Sequence, residues 1–293
     1  VRALLLVLLA GTALAGDLDE AKRLLDEVQE GDVRRGAEAC AAANNAAGAD
    51  ALLEVLRRTE KGRGLPPGHY RDIVWDSLVA LKDPYARARI ERELRTNRKS
   101  AAVRMWCAEL LGIWGDATYA PALVAACADG NNGVQQWAAR SLGMLRYEAD
   151  TRALEPLTRD SDPFVRANAF EALARIDPAK QRERFLSAIA RDADGGVRCA
   201  LLGALPAIYP DDALATSAAR GHEDDDWRPR MQAVDNLAAI RTKDSVDALV
   251  ERAGDGRPAV GERAMEMLRG MTGKEIRDAE GWGSWWRTNR ETF

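Results

Sequence analysis

The sequence predicts an all-α fold, a stack of about eight two-helix repeats. Three observations carry that expectation: a phrase that returns at a near-constant interval, a helical spacing of apolar residues within it, and no segment that alternates convincingly with period two.

The phrase reads "VRANAFEALARID" at Val165. It returns as "VRMWCAELLGIWG" at Val103, "VQQWAARSLGMLR" at Val134, "VRCALLGALPAIY" at Val197, "PRMQAVDNLAAIR" at Pro229 and "VGERAMEMLRGMT" at Val260. The intervals from Val103 are 31, 31, 32, 32 and 31 residues. Worn copies begin near Val33 and Val74, 41 residues apart, where "EKGRGLPPGH" (60–69) reads as a loop insertion. Within a unit the apolar positions are +0, +4, +8 and +11, for example Val165, Ala169, Leu173 and Ile176. At about 100° per residue they share one helical face. Position +5 is often apolar too (Phe170, Leu202, Val234, Met265) and turns a second face to a neighbour. A second apolar pattern follows each turn: Leu154 with Leu157, Phe185 with Ile189, Val246 with Leu249. Each unit is therefore read as two antiparallel helices.

The array is expected over 31–276, with an N-terminal capping helix at 16–30 and a Trp-rich capping helix at 277–293. Ahead of it, "VRALLLVLLAGTALAG" has a basic start, a short apolar run and small residues at Ala13 and Ala15. This is the pattern of a secretory signal peptide cleaved after Ala15, which makes residues 1–15 a leader and the protein periplasmic or extracellular, in a bacterial-type cell. The run is too short to remain as an anchor, and no later stretch is long and apolar enough to span a membrane.

With 293 residues, 46% hydrophobic and 30% charged, the chain can bury a core and is unlike a disordered one. Its net charge of -4 and pI of about 5.5 speak against a nucleic-acid partner.

Aspartates recur before the first helices: Asp129, Asp162, Asp194 and Asp226. Such residues can cap a helix N-terminus. Arginines recur at +1: Arg104, Arg166, Arg198 and Arg230. They suit either a ladder of Asp–Arg contacts between neighbouring units or an anion-binding stripe. The spacing follows the period of the fold and acidic partners accompany it, which favours the ladder.

The phrase D-x-x-V-R-x-x-A-x-x-A-L-x-x-L at this period resembles HEAT repeats, of the short subclass first associated with phycobilisome lyases. The resemblance covers roughly residues 30–276. It implies a right-handed α-solenoid, an α-α superhelix of the armadillo-like kind, with second helices lining its concave side. It also implies protein binding more often than catalysis.

Enzymes built on such repeats leave traces that can be sought. A di-iron hydroxylase needs several His-Glu pairs, whereas this chain has His222-Glu223 and one other histidine, His69. No G-x-S-x-G, P-loop or H-E-x-x-H is present. "HEDDD" (222–226) is read as a solvated loop with a helix cap rather than a calcium site, since its spacing matches no EF-hand. Cys40, Cys107, Cys127 and Cys199 lack the spacing of a zinc site. Cys107 and Cys127 each lie ten residues from the turn near Ala117, which makes them a candidate disulfide.

Trp282, Trp285 and Trp286 have i, i+3, i+4 spacing and share one helical face. They read as the core face of the last second helix, covering the end of the array with indole N–H groups near its wet rim. The rival is an exposed aromatic strip for a ligand. The sequence as a whole reads as a monomeric, non-catalytic scaffold that binds another protein, with no cofactor or metal. A structural spacer in an envelope assembly and a lyase-like or metal-dependent enzyme are the alternatives.

Overall fold

The computed structural model describes residues 18–27, 29–59, 69–148 and 150–293. The expected leader (1–15) and the inserted loop at 60–68 lie outside them. Among the described residues every regular element is helical: sixteen α-helices and two short 3-10 turns. The chain divides into two compact units, residues 1–153 and 154–293.

The first unit contains α1 (Leu18–Leu25), α2 (Glu30–Ala43), α3 (Ala46–Thr59), α4 (His69–Val79), α5 (Pro84–Thr96), α6 (Ala101–Ile113), α7 (Ala120–Ala126) and α8 (Asn132–Leu145). First helices α2, α4, α6 and α8 pack on one another in sequence, and second helices α3, α5 and α7 form the other layer. This layered stacking is that of an α-solenoid. The expected capping helix stops at Leu25, and α1 lies flush on α2. A Cβ at Gly36 would fall 2.7 Å from the Ala21 carbonyl oxygen, so the close approach requires glycine.

The second unit contains α9 (Pro163–Ile176), α10 (Pro178–Arg191), α11 (Gly195–Ile208), α12 (Pro210–Glu223), α13 (Trp227–Ile240), α14 (Lys243–Arg252), α15 (Pro258–Thr272) and α16 (Ala279–Asn289). First helices α9, α11, α13 and α15 stack in one layer and α12, α14 and α16 in the other. The core runs from Phe185, Leu201, Leu205 and Tyr209 to Leu237, Leu249, Leu268 and Trp282.

Capping sets where each first helix begins. Ser100, Asn131, Asp162 and Asp194 accept the N–H of Val103, Val134, Val165 and Val197, each the third residue of its helix. That satisfies at least one free donor in each of these four helices, two in α9 and α11, and adds about 1 kcal/mol per cap. Pro84 and Pro163 follow their caps, where the missing N–H costs nothing.

Two readings of the repeats need correction. Val74 lies in the middle of α4, so that worn copy starts almost a turn earlier than the sequence suggested. Leu154 and Leu157 do not mark an α-helix either: the chain there makes turns and a 3-10 helix, Pro156–Arg159. Pro156 has no N–H, and a short segment between Asp150 and Asp160 cannot tolerate that loss in mid-helix. Leu154 and Leu157 are buried all the same.

Candidate functional site

The loops leading into α8, α9, α11 and α13 each carry two polar positions, two residues apart, with separate duties. The first accepts the backbone N–H of the second: Asp129 from Asn131, Asp160 from Asp162, Asp192 from Asp194 and Asp224 from Asp226, at 2.8–3.0 Å. The second caps the helix. Asp162, Asp194 and Asp226 are thus caps, whereas Asp129 is not. Asn131 caps α8, because Asp129 sits two residues too early to reach its N–H groups.

The arginines at +1 bind the first position of the next loop. Arg104 grips Asp129 at 2.7 and 2.8 Å, and Arg166 grips Asp192 at 3.0 and 2.8 Å. Arg198 holds Asp224 at 2.8 and 2.6 Å, and Arg230 holds Asp255 at 3.0 and 3.2 Å. Both contacts in each pair are the fork-to-carboxylate geometry that only arginine makes. Each arginine also donates back to a carbonyl of the loop before its own helix: Asn97, Asp160, Asp192 and Asp224, at 2.7–2.9 Å. One side chain thereby ties two successive loops. The partners Asp192, Asp224 and Asp255 were missed in the sequence; the doublet D-x-D at 192–194 and 224–226 is the signal that reveals the first two, and Asp255 stands outside it, followed by Gly256 and Arg257.

Electrostatics follow the geometry. The Arg104 hydrogen bonds hold the Asp129 carboxyl below the usual carboxylate range. Burial pushes Asp192 and Asp224 up, but hydrogen bonds from Arg166 and Arg198 and from the loop N–H groups outweigh it, so both also lie low. The hydrogen bonds to the same aspartates raise Arg166 and Arg198. These guanidiniums are committed to neighbours and do not form an open anion stripe.

The second helices, expected to carry a binding surface, likewise join their charges to each other. Arg57 meets Glu93 at 2.8 Å and Arg89 meets Asp50 at 2.9 Å in the first unit. Arg182 pairs with Asp212, and Arg290 with Asp247 at 2.7 Å, in the second. The His222 ring nitrogen Nδ1 lies 2.9 Å from the Arg252 guanidinium, which occupies it as an acceptor.

Large apolar side chains are exposed in both units, among them Tyr85 and Met144 in the first, and two aromatics stand on the loop edge of the second. Phe164, the second residue of α9, is 67% exposed, and Trp227, the first residue of α13, is 39% exposed. The core stripe begins at the third helical residue, so the fold itself has no use for large apolar side chains there. The Arg257 guanidinium sits 4.9 Å over the Trp227 ring. Between the loops at 225–230 and 256–259 runs an open trough of about 710 Å³ that includes Trp227, Arg257, Pro258 and Ala259.

A family model of HEAT repeats matches residues 91–174, from the middle of α5 to the end of α9. Residues 91–174 carry HEAT repeats. No curated protein sequence matches the chain. Among solved structures it is similar to a chain in a homology model of the full-length AP-3 complex in an intermediate open conformation. That likeness has 14% identity and a TM-score of 0.53, and covers 100% of this chain and 57% of that one. The complex of CpcE and CpcF of phycocyanin lyase from Nostoc sp. PCC7120 is similar at 18% identity and a TM-score of 0.46, over 87% of this chain and 94% of that one. Human deoxyhypusine hydroxylase in complex with glycerol is similar at 17% identity and a TM-score of 0.38, over 77% and 96% respectively. At 14% identity the first of these likenesses concerns the fold alone.

In the last helix pair of the chain, α15 and α16, Trp282 and Trp286 are buried and Trp285 is half-buried against them. The Trp286 indole N–H donates to Asp247 at 2.6 Å, and Arg290 shares that carboxylate. The Trp282 N–H was expected near a wet rim; instead it is enclosed, with no acceptor among the described residues. The helix carries it into the centre of the face, a full turn from the open end.

The candidate disulfide is not formed, and Cys40, Cys107, Cys127 and Cys199 are free. Beyond the turn the chain runs through a 3-10 turn (Ala117–Tyr119) into a seven-residue helix, and Cys127 caps its end. A 3-10 turn rises further per residue than an α-helix, so equal distance from the turn in sequence is not equal height. Burial pushes the Cys107 thiol up, and that of Cys127 up to about 12, which leaves them unreactive.

Proposed function

We propose that this HEAT-repeat protein is a non-catalytic, monomeric scaffold or adaptor that binds another protein. The observation that carries the reading is the pair of exposed aromatics, Phe164 and Trp227, at helix-start positions that the core does not use. Exposed large apolar groups on a surface otherwise rich in charge mark interaction sites. The commitment of arginines and aspartates to inter-repeat pairing supports a structural rather than a catalytic use of the ionisable groups.

Chemical crosslinking of the mature protein in envelope extracts tests it. Phe164→Ser with Trp227→Ser should lower recovery of the crosslinked partner about tenfold or more, because aromatic anchors dominate interfaces. The melting temperature should stay unchanged, since neither ring is core. Equal recovery with both rings gone would refute this surface.

The reading places the protein outside the cytoplasm, on the strength of the leader pattern in residues 1–15. Intact-mass measurement on protein from its native envelope should give a mature chain beginning at Gly16. A chain that retains residue 1 and fractionates with the cytosol would overturn export.

A further inference from the structure

Residues 84–104 hold seven cationic side chains (six arginines and Lys99) against two acids, Glu91 and Glu93, a balance of +5 within a chain of net charge -4. Four of these cations have clear structural uses. Arg89 pairs with Asp50, Arg95 with Glu91 and Arg104 with Asp129. Arg87 donates to the Leu81 carbonyl and lies 4.8 Å over the Trp114 ring. Both acids are also committed, Glu91 to Arg95 and Glu93 to Arg57 and Asn97. Arg92, Arg98 and Lys99 are exposed and form no salt bridge among the described residues, although the Arg98 charge acts on Asp129.

The surplus sits beside a hollow. Where the end of α5, the loop to α6 and helix α7 meet, a cavity of about 240 Å³ is lined by four alanines (Ala122, Ala125, Ala126 and Ala128), with Arg95 and Arg98 beside them and the paired Arg104 and Asp129 completing the wall. The alanines leave room for an apolar side chain, and Arg98, which holds no salt bridge, offers its guanidinium fork to a carboxylate beside it.

We propose that this face of the first unit docks an acidic segment of a partner protein, with one apolar side chain in the alanine-lined cavity and carboxylates on Arg98, Lys99 and Arg92. The assignment rests on the scaffold reading and gives it a second contact with defined chemistry. A carboxylate-rich peptide fits better than a nucleic acid. The hollow is small, with room for one side chain among its alanines, whereas a nucleic acid needs a long basic track.

The test titrates the full chain with a fluorescein-labelled peptide of alternating Glu and Leu, followed by anisotropy at low and at physiological salt. Arg98→Glu with Lys99→Glu should weaken binding about tenfold or more, and the loss should shrink as salt rises. Both residues are exposed and form no salt bridge, so the melting temperature should move little, and Arg98→Gln with Lys99→Gln, which places no acid beside Asp129, should weaken binding in the same direction. Reversing another exposed basic pair, Lys274→Glu with Arg277→Glu, should leave binding within about twofold. Peptide affinity unaffected by the first reversal overturns the proposal. So does tighter binding of single-stranded DNA, or of phosphatidylglycerol vesicles, than of the peptide at matched charge. If the peptide result fails while the Phe164 and Trp227 substitutions still abolish crosslinking, only this face is wrong and the scaffold reading stands.

Discussion

Alanine at Trp282 should lower the stability of the second unit by about 3–5 kcal/mol, the usual cost of emptying a buried aromatic site. Trp282 is fully buried between α14, α15 and α16, and its ring meets Trp285 edge-on with centroids 5.7 Å apart. Removing it withdraws support from both neighbours at once. Trp285→Ala should cost clearly less, because that ring is half-exposed. Phenylalanine at 282 should recover most of the loss. It keeps much of the apolar volume and removes an indole N–H that has no acceptor among the described residues. Urea unfolding of the three variants, with hydrogen exchange over α13–α16, measures all of this. A Trp282→Ala chain with the wild-type midpoint would mean that these indoles are not the core of the last pair.

The ladder provides the second large effect. Arg198→Ala should cost about 3–5 kcal/mol, since it leaves a buried carboxylate unpaired. The Asp224 side chain is 1% exposed and that of Arg198 is 9% exposed. The pH dependence should change sign with the substitution. In the wild type Asp224 lies below its unfolded value, so its contribution is complete above about pH 4 and is lost as pH falls through the folded value. Without Arg198, burial dominates and carries the Asp224 carboxyl above its unfolded value. The folded variant then takes up a proton, and its deficit against wild type should narrow between neutral pH and about pH 4. Asp224→Asn added to Arg198→Ala should restore part of the loss, as coupled neighbours do. Urea midpoints across that range decide it. A small deficit that does not vary with pH would show that the pair does little for the fold.

Sequence and structure part company in particular loops. The arginines at +1 were visible because they repeat with the fold, yet their partners were not. Asp129 and Asp162 look alike in a single sequence, and a two-residue offset decides which caps a helix and which receives the arginine of the preceding repeat. Phe164 and Trp227 passed unnoticed for a related reason. Whether a large side chain lies inside or outside the buried stripe depends on the residue at which the helix starts, and the cap fixes that. The arginine surplus around Arg98 was legible as composition, but the alanine-lined hollow beside it forms only where α5 and α7 meet.

By itself the sequence determined the all-α class, the two-helix repeat, its period and the face each first helix buries. Those follow from local rules: 3.6 residues per turn, apolar spacing and the chemistry of caps and turns act within a dozen residues and repeat wherever the phrase repeats. Only the tertiary structure decided which aspartate meets which arginine, that the segment after Asp150 is a 3-10 turn, that Cys107 and Cys127 do not join, and that the Trp282 N–H is enclosed. Each of these depends on the height and rotation of one helix against the next. A shift of a single residue, about 1.5 Å and 100° on a helix, exchanges a bonded side chain for an exposed one.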